Sequence, residues 1–274
     1  MQEKEEVQGQ GPEVKAQKEK LKVLIMDIKN VYEDGNVTKY LVKGTNCAFM
    51  NALRRIMMSN VPCLAVDTVN IYENDSVIFD EMLAHRLGMM PVKTDVKSYK
   101  KGDTVKLVLE KTGPGIVTAK DIKCTDPKIE ILDKKIMIAK LDKEQKIRIE
   151  MTATMEAGKS HARHQPAIVS YNEVPEIDNS KAYANTKEIL ADFPEGIIEA
   201  KAGKLFLMDP YNTKIQNQYG DIMDKHGVKM AYSDTDFVLT IETTGQMTSK
   251  EVVEAALKEL SAKAEELEKE LKKL

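Results

Sequence analysis

The sequence predicts an α+β fold, and three patterns lead to this prediction. Strand-like runs recur between residues 22 and 156 and again at residues 235–242. Two helices with start and stop signals lie at residues 45–60 and 80–88, and a longer amphipathic helix follows residue 248. A chain that combines runs of strands with separate helices is typical of the α+β class.

The composition favours a folded protein that does not bind DNA on its own. The chain has 274 residues, of which 42% are hydrophobic, and this is enough for one large or two modest domains. Its 41 basic residues are scattered among 44 acidic ones, for a formal net charge of -3. Proteins that grip a duplex with their own surface usually carry a basic stripe or a high pI. We therefore expect no direct sequence-specific DNA binding.

The sequence also indicates a cytoplasmic protein without a membrane partner. No apolar run approaches the ~20 residues that span a bilayer. Residues 1–20 lack the apolar stretch of a signal peptide and are predicted to be a disordered tail. Cys47, Cys63 and Cys124 form no C-x-x-C pair. This argues against a disulfide framework or a zinc site and favours three small buried thiols in a reducing compartment.

The first elements are predicted to be a hairpin and a helix. Residues 22–29 and 37–42 have strand character on either side of a Gly-containing turn at residues 34–36. Thr45 or Asn46 then caps a helix that ends before Pro62. The apolar face of this helix consists of Phe49, Leu53, Ile56 and Met57.

A short second helix is predicted at residues 80–88. Two acidic residues lie at its positive end, and Leu83 and Leu87 are stacked one turn apart. Gly88 is expected to adopt the left-handed conformation that often ends a helix, and Pro91 blocks continuation. After this helix, short strands are predicted at residues 104–110, 136–141 and 147–155. Residues 161–226 then have weak periodicity, which indicates an inserted subdomain or a set of ordered loops.

The last segment predicts a helix with a narrow apolar stripe. Thr248 and Glu251 form a capping box at its start. Apolar residues then recur at alternating spacings of four and three, the pattern of an a/d seam over three heptads. The seam consists of Val253, Leu257, Leu260, Ala264, Leu267, Leu271 and Leu274. A narrow stripe favours contact with a helix of another chain, and an ordinary amphipathic helix on its own sheet is the alternative.

No catalytic or metal-binding motif accompanies these elements. The sequence holds no P-loop, no G-x-G-x-x-G and no acidic triplet of the kind that a two-metal nucleotidyltransfer site needs. His161 and His164 are three residues apart, but two histidines without a nearby third ligand make a poor metal site. We expect them to orient loop backbone or to pack at an interface.

Three separated motifs resemble those of one family. Residues 46–62 (NCAFMNALRRIMMSNVP) resemble the signature helix of the alpha/D family of RNA polymerase subunits. Residues 80–92 (DEMLAHRLGMMPV) are similar to that family's second signature. Residues 159–167 (KSHARHQPA) resemble its His-Ala-Lys-Trp-x-Pro segment, with His164 in the aromatic position. Three motifs in the right order are far more specific than any one of them.

The resemblance implies a discontinuous architecture. A dimerisation domain, a sheet with packed helices, is expected from residues 21–65 together with residues 233–274. A mostly-β domain is expected as an insertion at residues 66–170, with a ferredoxin-like subdomain at residues 171–232. Such a chain is a non-catalytic assembly subunit of DNA-directed RNA polymerase, the nucleotidyltransferase of transcription. It would form a heterodimer with the small subunit L, contact the second-largest catalytic subunit and bind the small subunits N and P.

Residue roles are carried over from the same resemblance. The expected dimer interface consists of Phe49, Leu53, Ile56, Val253, Leu257, Leu260, Ala264, Leu267 and Leu271. The expected large-subunit contacts are Arg54, Arg55, His85 and Arg86. Arg55 is favoured over Arg54, and a guanidinium suits a bidentate contact there. The alternatives are a solvated surface arginine at position 55 and, for His85 and Arg86, the simple end of a helix.

Departures from the family pattern define the expected subtype. Many relatives of the archaeal D type hold iron–sulfur clusters in the insertion, but this chain has no cysteine after Cys124, and Phe193-Pro194 stands where they have Cys-Pro. Thiolates are the ligands of such clusters, so no cofactor is expected. The cysteine-rich zinc loop of the eukaryotic counterpart is missing from residues 92–103. The bacterial DNA-binding C-terminal domain also has no counterpart, which leaves the archaeal type.

Three alternatives stay open at this point. The first is a stand-alone homodimeric coiled-coil scaffold or regulator, which explains the heptad helix but not the two signature helices. The second is an enzyme or electron carrier built on the ferredoxin-like insertion, which the missing cysteines disfavour. The third is the corresponding subunit shared by eukaryotic polymerases I and III.

Overall fold

The computed structural model describes residues 26–96, 98–183, 185–211 and 215–273. It confirms the predicted α+β class. In chain order the strands are β1 (Asp27–Asp34), β2 (Val37–Lys43), β3 (Pro62–Asn74), β4 (Thr104–Thr112), β5 (Gly115–Thr118), β6 (Ile122–Cys124), β7 (Met137–Leu141), β8 (Lys146–Ala157), β9 (Ala167–Ile177), β10 (Ile198–Lys201), β11 (Lys204–Leu207) and β12 (Met230–Thr243). The helices are α1 (Cys47–Ser59), α2 (Asp80–Gly88), α3 (Thr186–Asp192), α4 (Ile215–His226) and α5 (Ser249–Leu271).

The predicted N-terminal hairpin is confirmed where the structure describes it. β1 pairs antiparallel with β2, and Asp34 opposes Val37 across a two-residue turn. Gly35 in that turn has a φ of 54°, a conformation that glycine adopts at little cost. The disordered tail predicted for residues 1–20 and the start of the first predicted strand lie outside the described residues.

The first sheet joins strands from both ends of the chain. Its order is β1-β2-β12-β9, and every neighbouring pair is antiparallel. Helices α1 and α5 pack together and cover one face of this sheet. The core between them is formed by Val42, Met50, Leu53, Ile56, Met57, Val61, Ala167, Val169, Phe237, Leu239, Ile241, Met247, Val252 and Ala256.

The second sheet has the order β3-β8-β4-β6, and a two-stranded sheet of β5 and β7 accompanies it. The strict alternation predicted along β8 is confirmed, because its apolar residues are buried while their neighbours are more exposed. Helix α2 adds Leu83 and Leu87 to this second core, as their one-turn spacing predicted. The two sheets therefore have separate apolar cores.

Two strands, β3 and β9, span the domain boundaries expected at residues 65 and 170. β3 begins at Pro62 and pairs with β8, so residues 62–65 lie in the second sheet. β9 pairs with β12, so residues 167–177 lie in the first sheet. The choice of a strand's partner is a long-range property that local alternation does not encode. The division of the chain into domains stays a prediction.

Residues 178–229 form a small packed unit rather than loose loops. They contain α3, the antiparallel pair β10 and β11, and α4, which is kinked at Tyr219. The apolar cluster of this unit includes the last residue of β9 and consists of Ile177, Ile189, Phe193, Ile198, Leu205, Met223 and Val228. The ferredoxin-like topology of this unit stays a prediction.

The described chain crosses between the two sheets twice, and the crossings touch each other. One crossing joins α1 to β3, and the other joins β8 to β9. The backbone amide of Lys159 donates to the carbonyl of Ser59 at 2.8 Å. A Cβ atom at Gly158 would lie 2.2 Å from the carbonyl oxygen of Met58, well inside contact distance. Only glycine therefore lets the two crossings lie this close.

We expect Gly158→Ala to destabilise the chain by roughly 1–3 kcal/mol, because the added methyl group collides with backbone that cannot rotate away. Urea unfolding of the full chain measures this loss. The matched control is Gly220→Ala, at a site where a Cβ atom meets nothing within 4 Å. Equal unfolding midpoints for the two variants would contradict the proposed close contact.

Candidate subunit interface

Helix α1 is positioned by its cap and by its buried face. The side chain of Asn46 accepts a hydrogen bond from the backbone amide of Phe49 at 2.9 Å, which selects Asn46 over Thr45 as the cap. Leu53 and Ile56 are buried in the core of this chain. Phe49 is half-buried at the edge of the same core. Of the three predicted interface residues on α1, only Phe49 thus keeps surface for a partner, and their role in the interface stays a prediction.

Helix α5 divides into a packed half and an uncovered half. The predicted capping box is present, because Thr248 and Glu251 bond to each other's backbone amides. Val252 and Ala256 are fully buried, and the seam residues Val253 and Leu260 are half-buried against the same core. The sequence prediction missed Val252 and Ala256. Each of them directly precedes a seam residue, and their own spacing of one helical turn is the signal that could have revealed them.

From residue 261 to residue 273 every residue of the chain is exposed. Leu257, Leu267 and Leu271 are 40%, 62% and 59% exposed, and Ala264 is also exposed. Eleven helical residues from 261 to 271 extend about 16 Å at the usual rise. The apolar seam is therefore exposed along this half of α5. Clustered exposed leucines of this kind mark a protein contact.

Two adjacent arginines on α1 have different environments. The guanidinium of Arg54 donates twice to the side chain of Asn51, at 3.0 and 3.3 Å, and is half-buried. Arg55 is exposed, and within the described chain its side chain has no hydrogen-bond or ion-pair partner. Of the two arginines, Arg55 is therefore the one whose guanidinium is open to contact with another molecule.

Helix α2 presents an apolar and basic face that the sequence prediction only partly identified. His85 and Arg86 are both exposed, and Arg86 also donates to the carbonyl of Ile138 at 3.0 Å and so links the helix to β7. Phe79 and Met89 are 74% and 70% exposed, and Met82 is also exposed. These three apolar residues were missed. Their spacings of three and seven place them on one helix face, away from Leu83 and Leu87.

Gly88 does not end α2 in the predicted left-handed conformation. It is the last residue of the helix, is buried, and has no positive φ. A Cβ atom there would lie 3.7 Å from a guanidinium nitrogen of Arg163. That nitrogen donates to the backbone carbonyls of Val66 and Asp67, at 3.0 and 3.1 Å. Arg163 thus packs beside Gly88 and satisfies backbone at an irregularity of β3.

The third motif orients backbone, as predicted. Nδ1 of His161 accepts from the amide and Nε of Arg163, at 3.1 and 3.2 Å. His164 is buried with Nδ1 3.0 Å from the carbonyl oxygen of Cys63. In the part of the chain that the structure describes, no three His, Cys, Asp or Glu side chains are grouped as metal ligands would be.

The expectation of three buried thiols is wrong for Cys47. That residue is exposed on α1, with its sulfur 3.2 Å from the hydroxyl of Tyr171, because the apolar face of the helix lies on the other side. Cys124 is half-buried, and Cys63 is fully buried. Burial raises the pKa of the Cys63 thiol to about 11. All three cysteines are free.

Comparisons with known proteins agree with this geometry. A family model, the RNA polymerase Rpb3/Rpb11 dimerisation domain, matches residues 39–264. The chain is 34% identical over 247 residues to DNA-directed RNA polymerase subunit Rpo3 of Natronomonas pharaonis, which covers 88% of this chain and 96% of that protein. It is 35% identical over 244 residues to the subunit of the same name from Pyrococcus furiosus, covering 86% and 93%.

The first sheet carries two packed helices on one face, and the exposed apolar end of one of them is expected of a chain that contacts another protein. The chain belongs to the RNA polymerase Rpb3/Rpb11 dimerisation-domain family, and the resemblance inferred from its three motifs is confirmed. None of the helices among the described residues has the length and apolar content needed to cross a membrane.

The burial of the Cys63 thiol predicts that the free energy of unfolding depends on pH in the alkaline range. Its folded pKa, about 11, is above its ordinary value of 9.0, so the folded state holds the proton more tightly. The stabilisation is complete below pH 9 and is lost as the pH rises to 11. We expect Cys63→Ala to remove roughly 2 kcal/mol of pH dependence in urea unfolding across this interval. A Cys63→Ala chain with the same pH dependence as the wild type would contradict this assignment, and Cys47→Ala is the control.

Proposed function

We propose that this chain is an archaeal-type, non-catalytic assembly subunit of a cytoplasmic DNA-directed RNA polymerase. It pairs with the small subunit L, and the pair forms the platform for the second-largest catalytic subunit and for the small subunits N and P. Relatives that align along almost their entire length carry the name of a polymerase subunit. The observation on this chain that supports the proposal most directly is the uncovered seam of α5.

The seam requires a partner with a matching helix. Leu267 and Leu271 are one turn apart and lie on the half of α5 whose described residues are all exposed. Mixed Lys and Glu residues flank them, as in a helix that pairs through a narrow stripe. A small subunit with the same fold would supply an equivalent helix. Phe49 at the edge of α1 would extend the contact.

We assign the large-subunit contact to surfaces other than the seam of α5. Arg55 has an open guanidinium, and His85 lies on the exposed face of α2 next to Met82 and Met89. A rigid fork suits a carboxylate or carbonyl of the partner, and the apolar residues supply buried area. Arg54 and Arg86 already bind groups of this chain, so we assign them to positioning α1 and α2.

The insertion is proposed to be stable without an iron–sulfur cluster. Phe193, which stands in the place of a cluster cysteine, is buried and packs on Tyr219 with ring centroids 5.7 Å apart. Ile189 and Leu205 complete the same apolar cluster. An apolar core at this position supplies the contacts that metal ligation supplies elsewhere. We propose no active site in this chain.

We expect Leu267→Glu to prevent pairing while leaving the fold intact. A charge at the centre of a buried seam costs roughly 2 kcal/mol or more, so recovery of the small partner with a tagged chain should fall at least ~30-fold. Because Leu267 is exposed in the isolated chain, the unfolding midpoint of the isolated variant should equal that of the wild type. Quantitative mass spectrometry of the recovered complex measures the first effect.

The matched control for this experiment is Lys269→Glu, which changes charge on the same helix but outside the seam. It should recover the partner normally. If Leu267→Glu recovers the small partner as well as Lys269→Glu does, α5 is not the pairing helix. Recovery of two copies of this chain and no polymerase subunits would instead support the homodimeric scaffold.

We expect Arg55→Glu to weaken binding of the large subunits but not of the small one. Reversing a charge that pairs across a desolvated contact costs roughly 2–5 kcal/mol. The readout is the ratio of large chains to small partner in the tagged complex. Lys123→Glu, an exposed cation on β6, is the control. An unchanged ratio would make Arg55 a solvated surface residue.

A further inference from the structure

Four buried polar side chains lie where the first and second sheets meet. Cys63, Thr94, His164 and Gln246 are between 0% and 7% exposed. Polar groups are costly to bury unless they are hydrogen-bonded. Among the described residues, no buried side-chain nitrogen or oxygen lacks a partner. These four residues are therefore a fully bonded network within an otherwise apolar junction.

Gln246 is the residue that links the two sheets. It lies between β12 of the first sheet and the cap of α5. Its side-chain oxygen accepts from the Cys63 thiol at 2.9 Å, and its side-chain nitrogen donates to the carbonyl of Leu64 at 3.4 Å. Its own carbonyl accepts from the amide of Thr94 at 3.1 Å. Three hydrogen bonds of one residue thus reach the second sheet and the segment beside it.

Thr94 and His164 contribute the remaining hydrogen bonds of the network. The hydroxyl of Thr94 accepts from the amide of Leu64 at 3.0 Å and lies 3.3 Å from the sulfur of Cys63. The ring of His164 is bonded to the carbonyl of Cys63. Because burial raises its pKa to about 11, the Cys63 thiol is protonated at neutral pH and can donate to Gln246. The donors and acceptors are therefore matched.

The covalent connection between the sheets does not by itself fix their orientation. The two chain crossings are bonded to each other, so the covalent links between the sheets lie side by side at one place. Val96 packs against both cores, but apolar contact has little directional preference. Hydrogen bonds require specific angles, and a satisfied buried network favours one arrangement over its alternatives.

We propose that Cys63, Thr94, His164 and Gln246 form a polar joint that sets the orientation of the second sheet relative to the first. The residues are positioning residues. The proposal rests on the proposed function in one respect: the joint holds the exposed face of α2 in a defined orientation relative to the seam of α5, so that the chain presents both surfaces to their partners together.

The orientation can be measured on the full chain by pulsed dipolar spectroscopy between two spin labels. Lys123→Cys on β6 and Glu242→Cys on β12 place one label on each sheet, in a chain where Cys47 and Cys124 are replaced by serine. Thr94→Val keeps the shape of the side chain and removes the hydroxyl, whereas Thr94→Ser keeps the hydroxyl. We expect one narrow distance distribution with Thr94→Ser and a broadened or shifted one with Thr94→Val.

A second readout separates this role from a general loss of stability. In the tagged chain, Thr94→Val should recover the small partner normally, because pairing uses the first sheet alone. Recovery of the large chains should fall about tenfold, the order expected when one buried hydrogen-bond partner is lost. Thr94→Ser should restore it.

An unchanged, narrow distribution with Thr94→Val would overturn the joint. If that variant fails to fold, Cys63→Ala and its conservative counterpart Cys63→Ser make the same comparison at the thiol. A broadened distribution, in a protein whose wild type recovers no polymerase chains, would support the joint and contradict the proposed function. The failures of the two proposals are therefore distinguishable.

Discussion

The pairing of β12 between β2 and β9 is the constraint on which the rest of this structure depends. Leu239 opposes Tyr40 on one side and Tyr171 on the other, so three segments far apart in the chain meet in one strand ladder. Closing such long loops costs conformational entropy. The buried face of β12, with Phe237, Leu239 and Ile241 in the core, offsets this cost. Only when β12 is in place can α5 lie on α1.

This arrangement separates two uses of apolar surface on α5. Val252 and Ala256 are buried in the core of the chain itself, whereas Leu267 and Leu271 are exposed. Of the two alternatives, the ordinary amphipathic helix describes the first half of α5, and the partner helix stays a prediction for the exposed second half. Exposed leucines are a liability in an isolated chain, and they explain why this protein is expected to act as part of an assembly.

Local signals made a large part of the fold predictable. The Asn46 cap, the capping box of Thr248 and the alternation along β8 depend on residues close in sequence, and each prediction was correct. The membership of β9 in the first sheet was not predictable, because strand pairing is decided by tertiary packing. For the same reason the sequence did not distinguish Leu53, which is core, from Leu267, which is exposed.

The candidate site was predicted less completely than the fold. The preference for Arg55 as a large-subunit contact stays a prediction, and the bond of Arg86 to the carbonyl of Ile138 was not foreseen. Gly88 was assigned to a left-handed helix end, and it is the last residue of α2 but has no positive φ. Such roles depend on which groups approach from elsewhere in the chain. No spacing rule contains that information.

The stoichiometry of the native complex tests the central claim most directly. Native mass spectrometry of the assembly recovered through a tag on this chain would measure it. We expect one copy of this chain with one small partner of the same fold and both large polymerase chains. A complex containing two copies of this chain and no polymerase chain would contradict the account.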